Sequence, residues 1–146
     1  MFKPQHFKLA NLRYLVANTY LGKLVGLVSE QGLVALEPAF SPAEEEELLS
    51  QLAAQQVEEV AAEKAKFWQE NLAAGVKNTL LAKGLPLHLI GTPLQQQAWL
   101  SLAEIPLGTT LTYKEFALKN GRPQAIRALA STCATNPLPF LLPCHR

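Results

Sequence analysis

Three short stretches, Ser41-Pro42-Ala43-Glu44, Thr92-Pro93-Leu94-Gln95 and Thr112-Tyr113-Lys114-Glu115, each set a hydroxyl three residues before a glutamate or glutamine. In a helix that spacing lets the hydroxyl accept a backbone N–H of the first turn while the longer side chain reaches back, so each stretch marks a helix start. Proline at the first helical position reinforces two of them. All three lie after residue 40. Before it, apolar residues alternate instead: Leu12, Tyr14 and Val16, then Leu24 to Val28 and Leu33 to Leu36, separated at Leu21-Gly22 and Gln31-Gly32. A period of two broken by glycine turns predicts an antiparallel meander of three strands. Strands followed by helices give an α+β class.

The first helix is expected from Pro42. Its acidic run, Glu44 to Glu47, suits the positive end of the helix dipole better than a metal site. A second helical stretch from about Ala61 to Leu81 carries Phe67, Trp68 and Leu72, read as core, and Lys83-Gly84-Leu85-Pro86 ends it. The expected domains are residues 1–84, a connector over 85–91, and residues 92–146. In the second part Leu94, Ala98, Leu102 and Ile105 recur near helical spacing, and that helix stops before Pro106-Leu107-Gly108. A short helix opens at Thr112 and closes at Asn120-Gly121, with glycine free to turn left-handed. Pro123 is placed at the first position of the next helix, with Ile126, Leu129, Ala130 and Cys133 inward and Gln124, Arg127, Ala128, Ser131 and Thr135 outward. Two short helices about a tight turn, the second showing one arginine among small residues, fit a helix-turn-helix. They fit an ordinary structural helix pair as well.

The chain has 146 residues, 49% of them hydrophobic, enough to bury a core as one domain or two small ones. Aspartate is absent, and ten of the twelve acids fall in residues 1–90, so the second part is the more basic and the better match for phosphate. Cys133 and Cys144 stand without CxxC spacing, which excludes a disulfide framework and a zinc ribbon and points to a reducing compartment; no metal is expected. No run approaches the roughly twenty apolar residues that span a bilayer. The reading is an intracellular, cytoplasmic protein with no membrane partner.

The chain ends on Pro143-Cys144-His145-Arg146, after Phe140-Leu141-Leu142, an apolar triplet between prolines that is read as a short buried strand. Cysteine reacts as thiolate, so it needs a proton acceptor or cation nearby, and His145 and Arg146 are the neighbours. Adjacent residues of a strand face opposite ways, so a direct contact needs a bend or a bridging water. On the pair alone, structural and catalytic roles both stay open. A thiol protease or phosphatase is disfavoured, because His6 and His88 sit in segments with no supporting pattern.

In its order and spacing of motifs the stretch from Gly91 to Arg146 closely resembles the C-terminal domain of the methylated-DNA–protein-cysteine methyltransferases, or O6-alkylguanine-DNA alkyltransferases. The likeness runs through Gly91-Thr92-Pro93-Leu94-Gln95-Gln96-Gln97-Ala98-Trp99, Ile105-Pro106-Leu107-Gly108, Thr112-Tyr113, Arg127-Ala128, Asn136-Pro137 and Pro143-Cys144-His145-Arg146. Over residues 1–90 it is looser, limited to the meander and the helical region after it. The fold so implied is a ribonuclease H-like α/β unit followed by a mainly helical, winged-helix-like DNA-binding domain that enters the minor groove.

The resemblance implies stoichiometric DNA repair. Cys144 would be the alkyl acceptor and His145 the proton relay through water. Asn136 would tie the recognition helix to the active-site turn. Arg127 would enter the base stack in place of the flipped guanine, and Tyr113 would crowd the adjacent phosphate. Ala128 would permit close approach, while Gln124, Ser131 and Thr135 would meet phosphate or sugar. No cofactor is implied. The expected partner is double-stranded DNA containing alkylated guanine, bound by a monomer, with nucleoid association if the source is bacterial. Members of the family continue past the motif with a strand, a pocket-covering loop and a helix carrying a relay glutamate. The chain is therefore expected to be C-terminally incomplete, with repair impaired. The alternatives are a non-catalytic damaged-DNA-binding module or an inactive truncated paralogue.

Overall fold

The computed structural model describes residues 11–77, 85–105, 110–138 and 141–142. The chain divides into two compact units, Met1–Leu89 and Ile90–Arg146.

In the first unit the alternating segments form β1 (Arg13–Thr19), β2 (Gly22–Val28) and β3 (Leu33–Ala39), paired antiparallel in sequence order. This is the expected meander. Gly32, at φ +148°, makes a turn that side chains disfavour, and a Cβ there would sit 2.5 Å from the Pro86 carbonyl oxygen. That close approach lets the chain after the second helix lie along β3: Leu33 N–H donates to Pro86 O at 2.9 Å and His88 N–H to Leu33 O at 2.8 Å. Ser29 Oγ and His88 Nδ1 are 2.6 Å apart in the same place.

Helix α1 (Pro42–Ala54) starts as its sequence dictates. Ser41 Oγ accepts Glu44 N–H at 3.2 Å, and the Glu44 carboxylate accepts Phe40 N–H at 3.3 Å. Glu45 pairs with Lys23 at 3.0 Å. After α1 a two-residue strand, β4 (Glu58–Glu59), pairs parallel with β1 and completes the order β3-β2-β1-β4, so the sheet is mixed. Nothing in the apolar pattern marks β4, because both its side chains are exposed.

Helix α2 (Ala62–Lys77) packs against β1 through Leu72, Gly75 and Val76. The reading of Phe67 as core is corrected: it is exposed, Trp68 is half-buried, and the two rings meet edge to face at 5.4 Å. At about 100° per residue, position 67 lies roughly 140° around the helix from position 72, and position 68 only about 40°. The core of the unit is built from Leu15, Leu24, Val25, Leu27, Leu33 and Leu52 with Leu72.

The second unit holds α3 (Pro93–Ala103), α4 (Tyr113–Lys119) and α5 (Ile126–Ala134). Both capping boxes close. Thr92 Oγ1 accepts Gln95 N–H at 3.2 Å while Gln95 Oε1 accepts Thr92 N–H at 2.9 Å, and Thr112 and Glu115 do the same at 3.1 and 3.2 Å. Helix α4 ends in a Schellman turn: Gly121, at φ +68°, donates to Leu118 O at 2.9 Å and Arg122 N–H to Ala117 O at 2.9 Å.

Helix α5 begins at Ile126, three residues later than Pro123 predicts. Pro123 lies inside a turn closed by Ala125 N–H on Arg122 O at 3.0 Å, and no side chain caps the helix. The inward stripe shifts with it. Leu129, Thr132 and Cys133 are buried, Ala130 is half-buried, and Ile126 in the uncapped first turn is exposed. Thr132 tolerates burial because its hydroxyl donates to Ala128 O at 2.8 Å.

Leu138, Leu141 and Leu142 are buried as well, but not as a strand: Leu141 and Leu142 N–H both return to Leu138 O, at 3.1 and 2.8 Å, so this segment is a turn. Among the described residues no helix is long and apolar enough to cross a membrane, and no cluster of metal-ligating side chains forms.

Candidate functional site

Helix α5 packs on α3 and α4 through Leu129 and Cys133, which leaves its other side in solvent. Arg127, Ala128, Ser131 and Thr135 are all exposed there, at helical spacing that puts them on one face, and Gln124 is exposed in the turn just before. Among the described residues no carboxylate pairs with Arg127. Ala128 and Ser131 keep the face low, with one long cationic side chain, Arg127, projecting from it. Thr135 closes its own helix end, donating from Oγ1 to Thr132 O at 3.1 Å.

Tyr113 occupies the first position of α4 with half its surface exposed, 51%, held by the Thr112 cap immediately before it. The α4–α5 turn is fixed from inside by Asn120. Its carboxamide donates to Phe116 O at 2.8 Å and to Ser101 Oγ at 3.4 Å, and its main-chain carbonyl accepts Gln97 Nε2–H at 3.0 Å. Lys114 and Lys119 are exposed on α4, and Arg122 is exposed in the turn that follows it. Of the two acids in this unit, Glu115 is engaged in the cap.

Asn136 stands at the exit of α5. Its Nδ2 donates to the carbonyl of Leu142, and its Oδ1 accepts Leu138 N–H at 2.9 Å, so one carboxamide clamps both limbs of the turn before Pro143. Cys144 and His145 lie outside the described residues. Sequence reasoning passed over Thr132 and the indole of Trp99, whose Nε1–H donates to Thr132 O at 3.0 Å. A polar residue at an inward helical position, four residues before Asn136, was the available signal for the first.

Residues 93–146 match the family model described as "6-O-methylguanine DNA methyltransferase, DNA binding domain". Over 140 residues the chain is 36% identical to the bifunctional transcriptional activator/DNA repair enzyme Ada of Escherichia coli, covering 92% of this chain and 38% of Ada. It is 40% identical over 87 residues to the methylated-DNA–protein-cysteine methyltransferase of Methanosarcina barkeri, covering 58% of this chain and 55% of that protein. The chain thus spans between about two fifths and just over half of these relatives. Two crystal structures of Mycobacterium tuberculosis OGT share the fold: a variant at TM-score 0.65 and 25% identity, covering 92% of this chain and 77% of that one, and a complex with DNA at 0.59 and 26%, covering 92% and 76%. The exposed face of α5, the clamped turn after it and these likenesses converge, and residues 93–146 are a DNA-binding domain of the 6-O-methylguanine DNA methyltransferase family.

Proposed function

We propose that the chain repairs duplex DNA by moving the alkyl group of an O6-alkylguanine onto Sγ of Cys144, once per molecule. The observation that carries this reading is the low, exposed face of α5, joined through Asn136 to the segment that runs into Cys144. A face of small residues with a single arginine suits phosphate and groove-wall contact rather than base-specific readout, so the lesion is selected in the pocket and not by sequence.

A stacked guanine hides its alkyl carbon, so the nucleotide must leave the helix at a cost of a few kcal/mol in unstacking. Arg127 offsets part of this by filling the vacated place in the stack, and Tyr113 drives rotation by crowding the neighbouring phosphate. Gln124, Ser131 and Thr135 hold phosphate or sugar, and Ala128 permits the approach. His145, through water, takes the thiol proton. The thiolate attacks the alkyl carbon in line, the C–S bond forms as the C–O6 bond breaks, and the electron pair left on the base is neutralised by a proton, restoring guanine. The thioether does not hydrolyse, so the protein is consumed and no cofactor is required.

The test is intact-protein mass spectrometry after incubation with a duplex holding one O6-methylguanine. A gain of one methyl group, absent in Cys144→Ser, is expected. No gain over hours at equimolar duplex, with DNA affinity unchanged in Cys144→Ala, would replace this reading by a non-catalytic binding module.

A further inference from the structure

The carbonyl of Thr132, in the last turn of α5, receives three donors: Trp99 Nε1–H from α3 at 3.0 Å, Thr135 Oγ1–H at 3.1 Å and Thr135 N–H at 3.2 Å. The amide of Asn136 goes to Cys133 O at 3.3 Å, an i to i+3 bond. A continuing α-helix would send that amide to Thr132 O. The indole approaches that carbonyl instead, and the last turn tightens and stops.

The indole has little freedom to do otherwise. Trp99 is 3% exposed, so its N–H must find an acceptor inside the protein. The far edge of its ring lies over Gly91, where a Cβ would come within 2.9 Å of Cη2 and 2.5 Å of Gln95 Oε1. One end of the ring is seated by a missing side chain and the other by the Thr132 carbonyl. The consequence falls on Asn136, which leaves the helix where its carboxamide can span Leu138 N–H and Leu142 O, two residues before Cys144.

We propose that Trp99 is a positioning residue for alkyl transfer: its indole N–H, by capping Thr132 O, ends α5 at the place from which Asn136 holds the turn leading to Cys144. The kinetic part rests on the reading under Proposed function. The mechanical part stands without it.

Trp99→Phe keeps an aromatic ring and removes the donor. In single-turnover methyl transfer from an O6-methylguanine duplex, the maximal rate should fall about five- to tenfold, the worth of one ordinary hydrogen bond. The half-saturating duplex concentration should hold within about twofold. Asn136→Ala should cost less in the Trp99→Phe background than in wild type, because both act through one turn. Exchange of the Leu138 amide, which reports the Asn136 clamp directly, should quicken by a similar factor. Additive rate losses, an unchanged Leu138 amide, or exchange quickened equally throughout α3 to α5 would each overturn the proposal, the last by revealing general loosening. If wild type transfers nothing, the functional reading fails and the Leu138 amide still decides this one. If Trp99→Phe does not fold, Gly91→Ala pushes on the ring from its other edge and should quicken the same amide, whereas Gln95→Ala, which breaks only the α3 capping box that the new Cβ also meets, should not.

Discussion

Within the first unit the core is a set of aliphatic side chains, Leu15, Leu24, Val25, Leu27, Leu33, Leu52 and Leu72, packed between a sheet and two helices. Within the second, Ser101, Asn120 and Thr132 are buried among the leucines, and all three buried polar residues of the described chain lie there. An aliphatic core asks for volume and pattern, which many residues supply. A polar interior asks for particular donors and acceptors at particular places, since each lost partner leaves a costly vacancy. The family model matches residues 93–146, the region whose interior is specified group by group.

The sharpest way to break this comparison is to remove volume from the first unit and then restore it with the wrong shape. Leu24, fully buried on β2, should cost about 3 kcal/mol as Leu24→Ala, whereas Leu24→Met should cost under about 1.5 kcal/mol. Urea unfolding followed through amide exchange of β1 to β3 measures both. Equal losses would mean that the first unit is as exacting as the second.

The matching change in the second unit is Asn120→Leu, which keeps size and discards hydrogen bonds. Ser101 Oγ loses a donor and Phe116 O loses its bond at 2.8 Å, so a loss of about 2 kcal/mol is expected despite the greater apolarity. Exchange of the α4 and α5 amides reports it. A neutral or stabilising outcome would show that the polar interior is dispensable.

How far each region could be read in advance follows the same division. The helix starts at Pro42, Pro93 and Tyr113 were legible because a side-chain cap is a local device whose partners lie within four residues. The start of α5 was not: Pro123 fits a first helical position and a turn equally well, and the turn prevails where Ala125 N–H meets Arg122 O. Strand β4 escaped notice because two exposed glutamates have no apolar period. Thr132 was missed because its burial depends on Ala128 O and Trp99, the second 33 residues away in sequence. At the candidate site, the outward face of Arg127, Ala128, Ser131 and Thr135 followed from helical spacing alone, but the turn at Leu141 and Leu142 did not. Apolar residues between prolines look like strand until Asn136 and Leu138 are seen to collect their backbone groups.

A smaller effect sharpens the role of the caps. Thr112→Ala removes the acceptor of Glu115 N–H at the start of α4 and should cost about 1 kcal/mol. Because Tyr113 is the next residue, the same change should weaken binding to duplex DNA as the first turn frays. Fluorescence anisotropy with a labelled duplex, set beside the unfolding midpoint, separates the two. Lost stability with unaltered affinity would detach Tyr113 from the proposed DNA face.

The smallest expected effect probes Tyr14, a group in the first unit whose protonation the fold shifts. Tyr14 sits on β1 opposite Glu59, and burial, assisted by the Glu59 carboxylate, raises its phenol above the ordinary 10.0. The folded chain therefore holds this proton more tightly than the unfolded chain does. The stabilisation is complete below pH 10 and is lost as pH climbs through the raised folded value. Tyr14→Phe has no proton to hold, so the stability difference between wild type and Tyr14→Phe should stay level up to about pH 9 and then move against wild type. Glu59→Gln should lower the Tyr14 pKa only partway, since burial is the larger cause. Absorbance titration near 295 nm, with Tyr14→Phe subtracted, reads the phenolate directly. A full return to the ordinary value in Glu59→Gln would assign the shift to charge, and would place in the sheet unit a polar dependence of the kind otherwise confined to the helical one.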